Sequence, residues 1–404
     1  MTKKILCRLT PLAALLAAMA MPAQAQSNDM FTFSGFATVG VVGTNTDGAH
    51  YVMPGQVRGA TKDFSGEVDS KLGLQLNGRF SPMFSGTVQL LSKQNGDGNF
   101  TPGLEWGFLK AQLTQGVAVR AGRMGAPFFA VSDFRDVGYA NTWLRPPLEV
   151  YGQVPFSHFD GADLSYQTSL GGATVNLQLY GGQAKDTYER TDIKFKKMAG
   201  FNSTAEFDGF TLRLGHVEGK VTVESATLNQ LVTGLRGVPM AAVSSVAEQL
   251  SATDKKASFT GVGVSFDQGN FVGSFEYTMR RCECYIADTN GWYATLGYRV
   301  GKFTPYGTVT QLKVDSSNVN NTIPLGVNTQ LTTLKLTVDG LVATQHVAQK
   351  AVGVGLRWDL MRNVALKAQY DRVKPETIGL FTADQAGFGG KNVNVYSLAV
   401  DTVF

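Results

Sequence analysis

From residue 30 onward, apolar side chains recur at every second position in runs of roughly ten residues. Leu72, Leu74 and Leu76 alternate with Lys71, Gly73, Gln75, Asn77 and Arg79, and Val352, Val354 and Leu356 alternate with Gly353, Gly355 and Arg357. Successive side chains of a strand point to opposite faces, so each run has one apolar face and one polar or glycine-rich face. The pattern predicts sixteen strands, at about 30–43, 69–80, 85–93, 104–114, 117–123, 161–168, 173–181, 198–207, 210–217, 258–266, 271–280, 291–300, 303–313, 350–358, 364–372 and 393–404. A sheet that meets hydrocarbon on one face and water on the other must leave no open edge. The fold class read from this is all-β, a transmembrane antiparallel β-barrel.

The links between runs alternate between short and long. Ser81-Pro82-Met83, Asp208-Gly209 and Gly301-Lys302 are short and carry the Gly, Pro and Asp that tight hairpins require. The links at about 44–68, 124–160, 218–257, 314–349 and 373–392 are long and polar, which predicts short periplasmic turns opposite long extracellular loops. Phe80 and Phe84, Phe207 and Phe210, Phe266 and Phe271, and Tyr298 and Phe303 bracket four of the short turns, as an interfacial aromatic girdle would. Within 314–349, Leu331 to Val338 and Leu341 to Thr344 flank Asp339-Gly340, and this reads as a β-hairpin projecting from the barrel. Eighteen strands is the alternative count. Val243, Val246, Ala247 and Leu250 fall at helical spacing after Pro239, predicting a short helix on the barrel mouth.

Lys3, Lys4 and Arg8 precede an apolar stretch from Leu12 to Met21, followed by Ala23-Gln24-Ala25. This is the layout of a signal peptide covering residues 1–25 and cut before Gln26. That segment holds three of the 36 basic residues and none of the 32 acidic ones, so the remainder is near neutral. Nothing in this balance calls for a nucleic-acid partner.

Charge that cannot face lipid cheaply must face the lumen. The strand pattern places Lys71, Arg79, Arg120, Arg213, Arg299, Arg357 and Lys367 on the inner wall, together with Glu206, Glu276 and Asp371. Catalytic constellations are poor. The histidines His50, His158, His216 and His346 show no metal-ligand spacing, and Ser157-His158-Phe159-Asp160 reads as a turn rather than a triad. No metal, cofactor or enzymatic activity is expected. Cys282 and Cys284 are either free thiols or a small disulfide ring.

The export segment, the sixteen alternating strands, the C-terminal Phe404 and the long link after the fifth strand resemble the general porin family of Gram-negative outer membranes. Gly291-Trp292-Tyr293-Ala294-Thr295-Leu296-Gly297-Tyr298-Arg299, followed by Lys302-Phe303-Thr304-Pro305-Tyr306, resembles a late hairpin of proteobacterial porins, and Val119-Arg120-Ala121-Gly122-Arg123 resembles the strand entering their third loop. The usual Pro-Glu-Phe-Gly-Gly loop tip is missing, and Ala126-Pro127-Phe128-Phe129 stands there instead. The resemblance implies a homotrimer in outer-membrane lipid, placed there by the barrel-assembly machinery. Each barrel would be a water-filled channel for passive diffusion of ions and small hydrophilic solutes, narrowed by the link 124–160 folded inward. Phe128, Phe129, Phe134 and Trp143 fit this, because outside they would form a sizeable apolar patch. Asp133, Arg135, Asp136, Arg145 and Glu149 would then line the constriction, facing the basic wall across it. A substrate-selective channel on the same scaffold and an outer-membrane barrel enzyme are the alternative readings.

Overall fold

Sixteen antiparallel strands close into one barrel in the computed structural model, which describes residues 30–188, 191–383 and 388–404. The strands are β1 (Phe31–Thr44), β2 (Lys71–Arg79), β3 (Phe84–Lys93), β4 (Gly103–Gln112), β5 (Val117–Gly125), β6 (His158–Leu170), β7 (Ala173–Tyr188) and β8 (Thr191–Phe207). The second half comprises β9 (Phe210–Glu224), β10 (Lys255–Gln268), β11 (Phe271–Cys282), β12 (Asp288–Tyr298), β13 (Phe303–Ser316), β14 (Gln349–Met361), β15 (Val364–Pro375) and β16 (Val393–Val403). Each strand pairs with its neighbours in sequence, and β1 pairs with β16 to close the ring, with Ala37 opposite Thr402. Phe404 extends the closure beyond the last strand: its carbonyl accepts from the Gly35 amide at 2.7 Å, and its amide donates to the Gly35 carbonyl at 3.0 Å. The expected signal peptide at residues 1–25 lies outside the described residues.

The alternation sorts the side chains as the strand pattern requires. Leu179, Leu212, Val354 and Leu398 stand out from the barrel and remain more than half exposed, whereas Glu276, Lys367 and Asp401 point inward and are fully enclosed. A protein in water does not present such a continuous apolar band, so this surface faces lipid. Phe80, Phe84, Phe207, Phe271 and Phe303 ring the short-turn end and are exposed there. The glycines of β1 are covered by rings and carboxylates of their own chain rather than left open for a neighbouring subunit: a side chain at Gly35 would collide with Phe404, and one at Gly40 with Asp69.

The sequence pattern marks every strand but shortens several at the long-loop end. β7 to β10 run well past the predicted ends at 181, 198, 217 and 258. The added stretches carry Lys185, Lys194, Lys196, Lys220 and Lys256 and lose the apolar alternation, because there the wall has risen out of the hydrocarbon. Backbone pairing continues without it, with Lys220 opposite both Lys196 and Lys256. His158, expected in a turn, instead begins β6.

Among the described residues, four α-helices lie in the long links: α1 (Leu148–Tyr151), α2 (Ala226–Arg236), α3 (Ala241–Leu250) and α4 (Thr329–Thr344). The predicted helix after Pro239 is α3, and it buries Val243, Val246, Ala247 and Leu250. The predicted hairpin at 331–344 is overturned, since the segment is α4. Leu331, Leu334, Val338 and Leu341 recur at intervals of three and four, so they share one helical face, and Leu331 and Val338 are buried. The Asn328 side chain caps the helix, accepting from the Leu331 amide at 2.8 Å. With Asp339-Gly340 inside a helix, the eighteen-strand count has no support. Cys282 and Cys284 are joined in a disulfide at the end of β11.

Candidate functional site

The link between β5 and β6 turns inward and lies across the lumen. Its first part, around Ala130, meets the wall at β9 and β11. The Ala130 amide donates to Glu276 Oε1 at 2.8 Å, and Arg213 Nη2 donates to the Pro127 carbonyl at 2.6 Å. Its last part contains α1, where Tyr151 donates to Glu276 Oε2 at 2.9 Å and Gln153 donates to Thr278 at 2.6 Å. Phe128, Phe129, Trp143 and Tyr151 are buried against Phe259 and Tyr293 of the wall, so three of the four aromatics that argued for an inward loop pack there, whereas Phe134 remains exposed.

Between these contacts the loop presents a series of backbone carbonyls that helix or sheet would otherwise satisfy. Lys367 Nζ donates to the carbonyls of Gly138, Asn141 and Trp143 at 2.7, 2.7 and 2.9 Å. Its charge is balanced by Asp401, 3.0 Å away, and both side chains are fully buried. Arg357 Nη1 donates to the carbonyls of Tyr139 and Asn141 at 2.7 and 2.9 Å. A buried ammonium and a part-buried guanidinium thus donate to carbonyls of a segment with little regular structure. Gly138 is required at the closest approach, because any Cβ there would run into Asp401 and Thr38. Gly291 plays the same part under α1, where a Cβ would strike Glu149 and Gln153.

Of the loop charges, Arg145 and Glu149 are buried, although Arg145 still borders the polar cavity that Arg135 and Asp136 line. Arg145 is buried and forks onto Asp69 at 2.9 and 2.6 Å, also reaching Ser397 at 2.6 Å. Burial works against the Arg145 guanidinium, yet Asp69, Tyr51 and Asp371 hold it charged well above its ordinary range. Glu149 is buried on α1 and accepts from Gln349 at 2.8 Å. Burial pushes its carboxyl up, and the Gln349 amide offsets only part of that. Both residues, expected at the constriction, also bond to residues outside the loop, Asp69 and Gln349.

Asp133, Arg135 and Asp136 remain toward open space. Asp136 sits between Lys71 at 3.3 Å and Lys93 at 3.1 Å. Burial works to raise the Asp136 carboxyl, but Lys93, Lys71 and Arg135 outweigh it and hold it far below the usual range. Arg135 lines a polar cavity of about 500 Å³ with Asp136, Lys93, Glu105 and Arg123, and it has no ion pair among the described residues. Arg120 is held by Asp163, with Nε at 3.1 and 3.0 Å from its two oxygens. Beyond it, Gln178 donates to Asp163 at 2.7 Å and Gln89 donates to Gln75 at 2.7 Å, forming a polar wall.

The loop therefore occupies the side of the lumen bounded by β9 to β16, and the space left runs along β2 to β7. Among the wall cations, Arg213, Arg357 and Lys367 are spent on loop carbonyls, and Lys71 on Asp136. Arg79 is exposed at the short-turn end, and Arg299 pairs there with Asp267 at 2.6 Å, so neither meets the loop. Glu206 is likewise exposed at that end, whereas Asp371 accepts from Gln369 at 2.9 Å beside Arg145. Asp69, Lys93, Glu105, Asp163 and Asp401 were missed. For Lys93 the signal was present, since it continues the inward series Gln89 and Leu91. For Asp401 nothing in its own strand distinguished it from a rim charge.

A sequence model of the Gram-negative porin family matches residues 12–378, and the chain belongs to that family. No curated protein sequence matches it. Its fold is similar to Salmonella typhi OmpF in complex with daunomycin, at 13% identity and TM-score 0.54 over 93% of this chain and 97% of that one. It is similar also to an anion-selective porin from Comamonas acidovorans, at 14% identity and TM-score 0.53 over 93% and 99% of the two chains. OmpT of Vibrio cholerae in a trimer form matches at 13% identity and TM-score 0.53, again over 93% and 99%. The protein is a diffusion channel of the outer membrane, and family and fold are those of a channel rather than an enzyme.

Two outcomes are expected from this geometry. Lys367→Met leaves Asp401 and the Gly138 and Trp143 carbonyls without their cation, a loss of about 3–5 kcal/mol for breaking a buried pair. The loop should loosen, seen as larger and noisier single-channel currents in planar bilayers, while the barrel persists. For Glu149, a carboxyl raised on folding lowers stability as pH climbs from the ordinary carboxylate range through its raised value. Glu149→Gln should therefore unfold at the same temperature as wild type at pH 4 and at a higher temperature at pH 8, measured by heat-modifiable gel migration.

Proposed function

We propose that solutes pass along the β2 to β7 side of the lumen and that residues 132–136 form its narrowest edge. The observation that carries this is the placement of Asp136 between Lys71 and Lys93, with Asp133 and Arg135 beside it and the opposite side of the lumen filled by the anchored loop. Fixed charges of both signs at a constriction act strongly on a passing ion, because the surrounding protein screens them less than bulk water does. Small hydrophilic solutes and ions diffuse through this gap without a binding cycle. Asp136 stays ionised far into acid, so its bridge to the two lysines persists through the ordinary carboxylate range, about pH 4, and is lost only well below it.

Deleting residues 132–142 should raise single-channel conductance. Asp136→Asn releases two lysine charges into the gap, and together with Asp133→Asn it should shift the reversal potential in a KCl gradient toward anions. Unchanged conductance and reversal potential in both variants would place the path elsewhere.

The same reading includes a homotrimer. The Vibrio cholerae neighbour was solved in a trimer form, and the apolar outer face of this barrel accommodates either lipid or a second copy. Native mass spectrometry in mild detergent should give three times the protomer mass, and a protomer mass alone would count against assembly.

A further inference from the structure

On the long-loop side of the inward loop lies a second cavity, of about 790 Å³, whose character differs from the polar one beside it. It is lined by Phe128 and Phe156 of the loop, by Phe195 and Val221 of β8 and β9, by Ile286 of the link between β11 and β12, and by Leu380 of the link between β15 and β16. Apolar groups dominate the lining, and the charged groups on it are Arg280, Arg281 and Asp186. A channel for hydrophilic solutes gains nothing from such a chamber, because apolar wall in contact with water is unfavourable. The chamber is not surplus space left by the helical cap either. Leu228, Leu235, Val243, Leu250 and Val338 of that cap are already buried among themselves and their neighbours.

The two cavities adjoin. Residues 53–56, Pro155 and Asp186 border both, so a molecule in the apolar chamber lies next to the polar gap lined by Lys93, Arg123 and Arg135. The volume falls within the range of small-molecule sites, which are mostly apolar with a few polar groups at one side. From this juxtaposition we infer that the chamber receives the apolar body of a small amphipathic solute, aromatic or branched, while its polar end extends into the neighbouring gap. The inference rests on the channel reading above and names its preferred solute class. The apolar body is held by contact and by release of water, and the polar end stays hydrated at the gap. Solutes of the same charge without such a body cross the chamber unretained.

The test uses the full-length protein in planar bilayers. With KCl alone, wild type should conduct. Added from the long-loop side, 3-phenylpropanoate should interrupt the current saturably, whereas lactate, of equal charge, should not at the same concentration. The double variant Ile286→Ser with Leu380→Ser should raise the half-blocking concentration about tenfold or more, as expected from removing two apolar contacts, with KCl conductance unchanged. Ile193→Ser, on the β8 wall of the same chamber, provides a second disruption should the double variant fail to fold. Equal behaviour of the two carboxylates, or variants blocked like wild type, would overturn the inference while leaving the channel intact. A wild type that does not conduct KCl would overturn the channel reading beneath it.

Discussion

Hydrocarbon offers no partner to a backbone amide, and the rest of this structure follows from that constraint. Every strand must find both neighbours, which forces the sheet to meet itself at β1 and β16 and to carry the seam past the last strand through Gly35 and Phe404. A closed sheet with lipid outside turns all its charge inward. The lumen is then a place where cations and carboxylates crowd together in restricted water, and an inward loop can be held by them.

The loop itself has little regular structure, so its own carbonyls present the same problem again inside the barrel. Lys367, Arg357 and Arg213 solve it by donating to carbonyls of residues 127 to 143. Asp401 and Glu276 provide the balancing charge for two of these cations, and Glu276 also takes the Ala130 amide. This arrangement explains why so many inner-wall charges contribute nothing to an open eyelet. They are the mould into which the loop fits, and the space left free is defined by where they are absent. Removing Lys367 or Arg213 leaves a buried carboxylate, Asp401 or Glu276, without its cation, which makes the loop position costly to disturb.

Above the loop the same chain builds a different environment. Strands β7 to β10 rise beyond the apolar belt, and the helices of two long links lean over them with their apolar faces inward. The mouth is thus partly roofed, and the apolar chamber beneath the roof is open toward the polar gap rather than sealed from it.

Strand number, the lipid and lumen faces, the aromatic girdle and the inward loop were legible in the sequence, because each depends on local alternation or on the cost of exposing a run of aromatics. The helix at 226–236 went unread, and the helix at 329–344 was mistaken for a hairpin since Asp339-Gly340 is a strong turn signal. Only packing against the cap showed that its apolar residues share one helical face. Periodicity assigns Lys71, Arg120, Arg213, Arg357 and Lys367 to the inner wall, but cannot say whether an inward cation meets water, a carboxylate or a loop carbonyl. That depends on which residues from distant strands come opposite one another: Lys367 beside Asp401, Arg145 beside Asp69, Asp136 between two lysines. Such pairings join residues tens to hundreds of positions apart, and only the closed tertiary structure brings them within bonding distance.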